Sequence, residues 1–171
     1  AFPDTLATGT NLTDIVPESD YLIEIDNKSI THRPDLWGHY GFARELAAIY
    51  GRELKPLDCT DSAAWSALPA FPLRIDDREG CPGYCCLDID GLSPAFSPID
   101  IQYRLLAIGQ RPINLLVDLT NYIMFEIGQP MHAFDKDTLQ GPVVVRPARA
   151  GEQAVLLDGR SVELDDDFLV V

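Results

Sequence analysis

The chain has 171 residues, of which 46% are hydrophobic and 23% are charged, a composition typical of a folded globular protein. Its 13 basic and 27 acidic residues give a net charge of −14, which argues against a domain that binds nucleic acid by itself, because phosphate contacts need a basic face. No apolar run reaches the roughly 18–20 residues that span a bilayer, so the sequence predicts no membrane segment.

The beginning and the end of the sequence both suggest that it is part of a longer chain. The first residues, AFPDTLATGT, include no initiator Met and do not have the basic start and apolar core of a signal peptide. The last residues, DDFLVV, resemble a strand with no stop signal after it. We therefore expect a segment of a larger protein.

The N-terminal part predicts one strand and one helix. Residues 20–26, DYLIEID, alternate apolar and polar side chains, as a half-buried strand does. Pro34 and Asp35 are typical of a helix entry, and Gly51 is a plausible helix end. Between them, apolar side chains recur at helical spacing: Phe42, Leu46, Ile49 and Tyr50.

The next part predicts two strands followed by a helix. The strand-like runs are residues 71–77, FPLRIDD, and residues 81–92, CPGYCCLDIDGL. The helix is expected to have Ser97 as its N-cap and Pro98 at its first position, and to end before Gly109.

A longer helix over residues 113–127 and a β-rich tail complete the pattern. The helix is predicted to end at Gly128 and Pro130. In the tail, Asp158-Gly159 lies between apolar runs and predicts a hairpin turn. Two faces of the helix are expected, an apolar one with Ile113, Leu116, Val117, Ile123 and Ile127, and a polar one with Asn114, Asp118 and Asn121.

Strands and helices without a regular β-α-β alternation favour the α+β class, with mixed β-sheets and a few helices. We expect a small N-terminal strand-helix segment over residues 1–58, packed on a larger α+β domain over residues 71–171. The small and polar residues 59–70 predict a linker between them.

Four Cys occur, and their spacing does not favour a metal site. Cys81, Cys85 and Cys86 offer one pair, but no second pair of Cys or His follows at a zinc-site distance. Reduced thiols, as in a cytosolic protein, are the expectation. A Cys nucleophile is disfavoured because no Cys has sequence neighbours that would lower its pKa.

The stretch from Thr120 to Asp135, TNYIMFEIGQPMHAFD, combines an apolar run with polar groups at both ends. A hydroxyl from Thr120, an amide from Asn121 and an imidazole from His132 are able to bind a small polar substrate and orient a water. The alternative is structural: Thr120 and Asn121 cap the helix end while His132 hydrogen-bonds a carbonyl. The residues alone leave both open.

Beyond these local patterns, the sequence resembles a known family. RPINLLVDLTNYIMFEIGQPMHAFD, followed by VVVRPARAGEQAVLLDGRSVELDDDFLVV, is similar to the editing region of the beta subunit of bacterial phenylalanyl-tRNA synthetase. IEIDNKSITHRPDLWGHYGFARELAAIYG resembles the segment that precedes this region in the family, so the resemblance covers nearly the whole chain in the family's order.

The resemblance implies hydrolysis of mischarged Tyr-tRNA(Phe) by a positioned water, without a metal or other cofactor in this region; ATP and Mg belong to the aminoacylation site elsewhere in the enzyme. A pocket shaped for Phe rejects a substrate with one added hydroxyl imperfectly, which is why a second, hydrolytic site is needed. Because the family continues past this chain into a Gly-rich stretch that completes the pocket, residues 71–171 are expected to hold only part of the site. The isolated chain is then expected to be inactive.

The family's pocket positions carry over to six residues here. Catalytic roles are implied for His132, Thr120 and Asn121, and substrate binding for Arg111, Pro130 and Tyr122. The implied partners are the 3′ end of tRNA(Phe) and an alpha subunit, in a cytoplasmic assembly of two alpha and two beta subunits. Two other readings stay open: a subunit-packing module without editing activity, and a freestanding hydrolase that uses a Cys.

Overall fold

A computed structural model describes residues 6–59 and 62–171. The described chain mixes helices with strands, which confirms the α+β prediction. The helices are α1 (His39–Tyr50), α2 (Ile99–Ala107) and α3 (Leu115–Ile127). The strands are β1 (Leu73–Ile75), β2 (Val143–Pro147), β3 (Glu152–Val155), β4 (Ser161–Leu164) and β5 (Leu169–Val170).

The chain forms two compact units, each assembled from two separate stretches. The helical unit contains the described part of Ala1–Cys59 together with Ser93–Ala133. The sheet unit contains the described part of Thr60–Leu92 together with Phe134–Val171. All six candidate residues therefore lie in the helical unit, in its second stretch.

In the helical unit, α1 ends where its sequence pattern predicts but begins at His39, later than the entry predicted at Pro34 and Asp35. A short 3-10 helix over Pro34–Trp37 opens with its proline, and α1 then runs from His39 to Tyr50 and stops at Gly51, where φ is 58°. Only a glycine is free of strain at that positive φ, which explains the stop. A second glycine, Gly38, brings the start of α1 close to α3, because a Cβ there would lie 2.4 Å from the backbone nitrogen of Gly128.

The start of α2 corrects one prediction. Ser97 does not cap the helix; the N-cap position is Pro98, which makes no side-chain capping bond. Ser97 is 2% exposed and donates its hydroxyl hydrogen to Asp118 instead. A buried serine satisfies its hydroxyl with whichever acceptor is close, and here the carboxylate of a neighbouring helix is that acceptor.

α3 begins two residues later than the sequence pattern suggests, at Leu115. The reason is Asn114, which takes the extended N-cap conformation and accepts a hydrogen bond from the backbone N–H of Val117 at 3.0 Å. The predicted division of faces is also wrong, because Ile113 is 60% exposed whereas Asp118 is 1% exposed. The helix end at Gly128, where φ is 78°, is confirmed.

In the sheet unit, β2 lies between β1, which runs parallel to it, and β5, which runs antiparallel. Val143 and Val145 point inward from alternate positions of β2 and are buried. β3 and β4 form the predicted hairpin around Asp158-Gly159, with Glu152 opposite Leu164 at its open end.

Two predicted strands are wrong. Residues 20–26 form no strand, and Tyr21 and Ile23 are 95% and 77% exposed. Alternating apolar and polar residues suit one face of a sheet, but a strand forms only where a second strand supplies its hydrogen bonds. The described chain provides no such second strand beside residues 20–26. Residues 81–92 also form no strand. The Cys81 thiol instead donates a hydrogen bond to the carbonyl of Gly83, two residues later, at 3.3 Å.

Candidate functional site

α3 is the scaffold that carries the candidate residues. Its 13 residues make it about 20 Å long. Thr120, Asn121 and Tyr122 occupy the sixth to eighth positions, in the middle of the helix rather than late in it. Arg111 lies in the loop before the first turn, and Pro130 and His132 lie beyond Gly128 at the other end. The six residues thus fall into three groups along one helix.

The central group offers two different hydrogen-bonding side chains. Thr120 donates its hydroxyl hydrogen to the carbonyl of Val117 at 2.8 Å, which leaves its oxygen lone pairs able to accept from another molecule. Asn121 is half-buried, and its amide makes no hydrogen bond to any residue that the structure describes. The capping role considered for this pair is wrong, because neither residue is at a helix end.

The third central residue, Tyr122, contacts α2. Its hydroxyl accepts a hydrogen bond of 2.6 Å from Nη1 of Arg104. The guanidinium carbon also lies 5.9 Å from the centre of the Tyr122 ring, within the range of a cation–π contact. Nothing in the sequence pattern indicated Arg104, because its partner is 18 residues away along the chain.

A buried carboxylate supports the first turn of α3. Asp118 accepts one hydrogen bond from the Ser97 hydroxyl at 2.5 Å and another from the backbone N–H of Ile113 at 2.7 Å. Through these two bonds, the Asp118 side chain holds both the loop that carries Arg111 and the segment that enters α2. The sequence did carry a signal for this role: Asp118 interrupts an otherwise apolar helical run, as a buried and satisfied polar group does.

The other end of α3 has its own cap. His39, the first residue of α1, places Nδ1 2.8 Å from the carbonyl oxygen of Phe125. A carbonyl only accepts, so Nδ1 carries the hydrogen. Pro130, two residues beyond the stop at Gly128, has no N–H with which the helical bonding could continue. His132 follows two residues later and is exposed.

Two grooves of the helical unit lie away from the candidate residues. One, of about 370 Å³, lies beside the short 3-10 helix at Pro34–Trp37 and contains Arg33 and Phe42. The other, of about 590 Å³, lies between α1 and residues 52–58 and includes Glu126 of α3. Neither is lined by Thr120, Asn121 or His132, so these grooves do not define the candidate site.

The cysteines do not form a second candidate site. Burial, and then the neighbouring Cys85, raise the pKa of the Cys86 thiol, which disfavours the thiolate that nucleophilic catalysis requires. Cys81 is buried and hydrogen-bonded to the backbone. Within residues 6–59 and 62–171, no group of three or more His, Cys, Asp or Glu side chains is placed to hold a metal ion.

Comparison with known proteins places the chain in a family. Residues 80–171, just over half of the chain, match the family model of the B3/4 domain. The match includes β2 to β5 and the whole stretch from Arg111 to His132. The chain therefore belongs to the B3/4 domain family, the family of the phenylalanyl-tRNA synthetase beta subunit.

Curated relatives agree with the family match. A phenylalanine--tRNA ligase beta subunit of Solibacter usitatus is 51% identical over 159 residues, which are 90% of this chain and 20% of that protein. The subunits of Xylella fastidiosa and Xanthomonas euvesicatoria are 44% and 42% identical over 170 residues, 99% of this chain and 21% of each relative. The chain spans about a fifth of the length of these relatives. No helix in the described part of the chain is long and apolar enough to cross a bilayer.

Proposed function

We propose that this chain forms part of an editing site that hydrolyses Tyr-tRNA(Phe) within a phenylalanyl-tRNA synthetase beta subunit. The observation that carries the proposal is the pair at the middle of α3. Thr120 presents an acceptor oxygen, and beside it Asn121 presents a half-buried amide that makes no hydrogen bond to a described residue. Such a pair matches the hydroxyl and amino groups of an aminoacyl-ribose ester.

The remaining candidate residues take supporting roles. His132 binds the substrate or orders the attacking water, since an imidazole donates and accepts near neutral pH. Pro130 forms part of the pocket wall, and Arg111 and Tyr122 support the RNA end. No metal or cofactor is needed for ester hydrolysis by a positioned water, provided that dipoles stabilise the developing oxyanion.

The net charge of −14 bears on how the RNA is held. A chain this acidic contributes little of the affinity for tRNA(Phe), so other parts of the enzyme must supply it. The proposed partners are the 3′ end of tRNA(Phe) and an alpha subunit, in a cytoplasmic enzyme of two alpha and two beta subunits. Only the terminal nucleotides would reach α3.

The test is release of Tyr from Tyr-tRNA(Phe) by the complete synthetase that carries this region. His132→Ala and Asn121→Ala are each expected to lower the rate by about 100–1,000-fold, as removal of one positioned polar group does. His32→Ala is the matched control, because His32 is also an exposed imidazole of the helical unit but lies outside the candidate group. The isolated chain, assayed beside it, is expected to be inactive because it holds only part of the site.

Equal hydrolysis by the unaltered enzyme and by both site variants would rule out the roles given to these two residues. The absence of hydrolysis even in the unaltered enzyme would favour the second candidate function, a subunit-packing module. Exposed apolar side chains support that alternative: Tyr21, Leu22 and Ile23 are 95%, 75% and 77% exposed in consecutive positions. Surfaces of this kind commonly mark contacts with another protein or domain.

A further inference from the structure

The guanidinium of Arg104 is held in place without being neutralised. It donates to the Tyr122 hydroxyl at 2.6 Å and lies 5.9 Å from the centre of the ring. Both contacts are to an uncharged side chain. Among the residues that the structure describes, no carboxylate makes an ion pair with Arg104, not even Asp100 one turn earlier on α2.

Several other arginines in the chain, unlike Arg104, form ion pairs. Arg33, Arg74, Arg146 and Arg160 each face a carboxylate at 2.6–2.8 Å. Several other arginines also form no ion pair with a described residue; what distinguishes Arg104 is that its guanidinium contacts a phenol ring. A guanidinium has five N–H donors, and the Tyr122 hydroxyl uses one, so most donors of the exposed Arg104 remain available to an anion.

Arg104 is connected to the proposed site through Tyr122. Its anchor, Tyr122, directly follows Asn121 on α3. The only other Lys or Arg in the stretch from Ser93 to Ala133 is Arg111. An aminoacyl ester on a terminal ribose brings phosphodiester groups with it, and planar guanidinium is the side chain best shaped to bind them.

We propose that Arg104, oriented by Tyr122, binds a backbone phosphate of the RNA end whose aminoacyl ester reaches Thr120 and Asn121. The role rests on the proposed function, since it names the RNA contact of the same site. The ligand chemistry is a phosphodiester near the 3′ end of single-stranded RNA. Arg104 binds and orients the substrate and takes no part in bond breaking.

The alternative role of Arg104 is a structural clamp between α2 and α3. Assays with two substrates, one with phosphates and one without, distinguish this role from phosphate binding. The complete synthetase is assayed with Tyr-tRNA(Phe) and with tyrosyl-adenosine, which has the ester and the ribose but no phosphate. Arg104→Gln is expected to raise KM for Tyr-tRNA(Phe) by about 5–10-fold with kcat little changed. KM for tyrosyl-adenosine should stay within twofold, because it offers nothing for the guanidinium to bind.

Salt dependence gives a second readout. Loss of one phosphate contact on a single strand should reduce the slope of log Kd against log salt concentration for deacylated tRNA(Phe) by about 0.7. Arg52→Gln is the matched control, since Arg52 is another exposed arginine of the helical unit and its loss changes the net charge equally. Tyr122→Phe keeps the ring and the Arg104 charge but removes the anchoring hydroxyl, so a smaller rise in KM, about 2–3-fold, is expected.

Two results would overturn the proposal. Equal changes in KM for both substrates would indicate the structural clamp. Unchanged KM and salt slope in Arg104→Gln, with an active unaltered enzyme, would show that no phosphate is bound there. If the unaltered enzyme releases no Tyr at all, the proposed function fails, and the tRNA salt slope still decides whether Arg104 contacts RNA.

Discussion

Replacing Asp118 by Ala tests whether one buried carboxylate holds the first turn of α3 in place. Asp118 is 1% exposed and accepts two hydrogen bonds, from the Ser97 hydroxyl and from the Ile113 N–H. A hydrogen bond to a charged group contributes about 1.5–3 kcal/mol, and a donor left unsatisfied in the interior costs a similar amount. We therefore expect the free energy of unfolding to fall by about 3–5 kcal/mol, a large share of the 5–15 kcal/mol typical of a domain.

The assay is urea unfolding of the chain, followed by circular dichroism, with the midpoint and the slope both fitted. Ser97→Ala removes one donor and leaves the carboxylate paired with Ile113, so its cost should be smaller, about 1.5–3 kcal/mol. The double variant then gives the coupling between the two side chains. A loss below about 1 kcal/mol in Asp118→Ala, at unchanged slope, would refute the view that these hydrogen bonds fix the loop to α3.

Three further outcomes concern stability. Arg146 lowers the pKa of Glu152 to about 2 from an ordinary value of 4.5, so this pair's stabilisation is complete above about pH 4.5 and lost as the pH falls through 2. Urea midpoints measured between pH 6 and 2 should show that loss, and Glu152→Gln should make it smaller. Gly38→Ala should cost more than about 3 kcal/mol in thermal or urea unfolding, because its Cβ would meet backbone atoms at 2.4 and 2.6 Å, whereas Gly83→Ala has open space and should be nearly neutral. Asn114→Ala should reduce stability by about 1 kcal/mol through loss of the α3 N-cap, and an unchanged urea midpoint would contradict that role.

Local chemistry explains what the sequence predicts well. The ends of α1 and α3 follow from Gly51 and Gly128, which adopt positive φ, and the β3–β4 hairpin follows from Asp158-Gly159. These features depend on a few neighbouring residues, so periodicity and turn residues are sufficient to find them. The α+β class follows from the same signals.

Long-range partners explain what the sequence does not predict. Ser97 fits the N-cap pattern, but its hydroxyl donates a hydrogen bond to Asp118, 21 residues away. Residues 20–26 alternate like a strand, but no described residue pairs with them. At the candidate site, spacing predicts α3, whereas the contact between Arg104 and Tyr122 becomes visible only when the two helices are placed side by side.

The parallel pairing of β1 with β2 has a consequence for how the protein is made. Leu73 pairs with Val143, so the two partners lie 70 positions apart in the chain, with all of α2 and α3 between them. A ribosome that adds about 5–20 residues per second needs roughly 4–14 s to produce the second strand after the first. During that interval α2 and α3 are synthesised, and β1 has no partner strand. Among the described strand pairs, β1 and β2 are thus separated by the longest interval of synthesis.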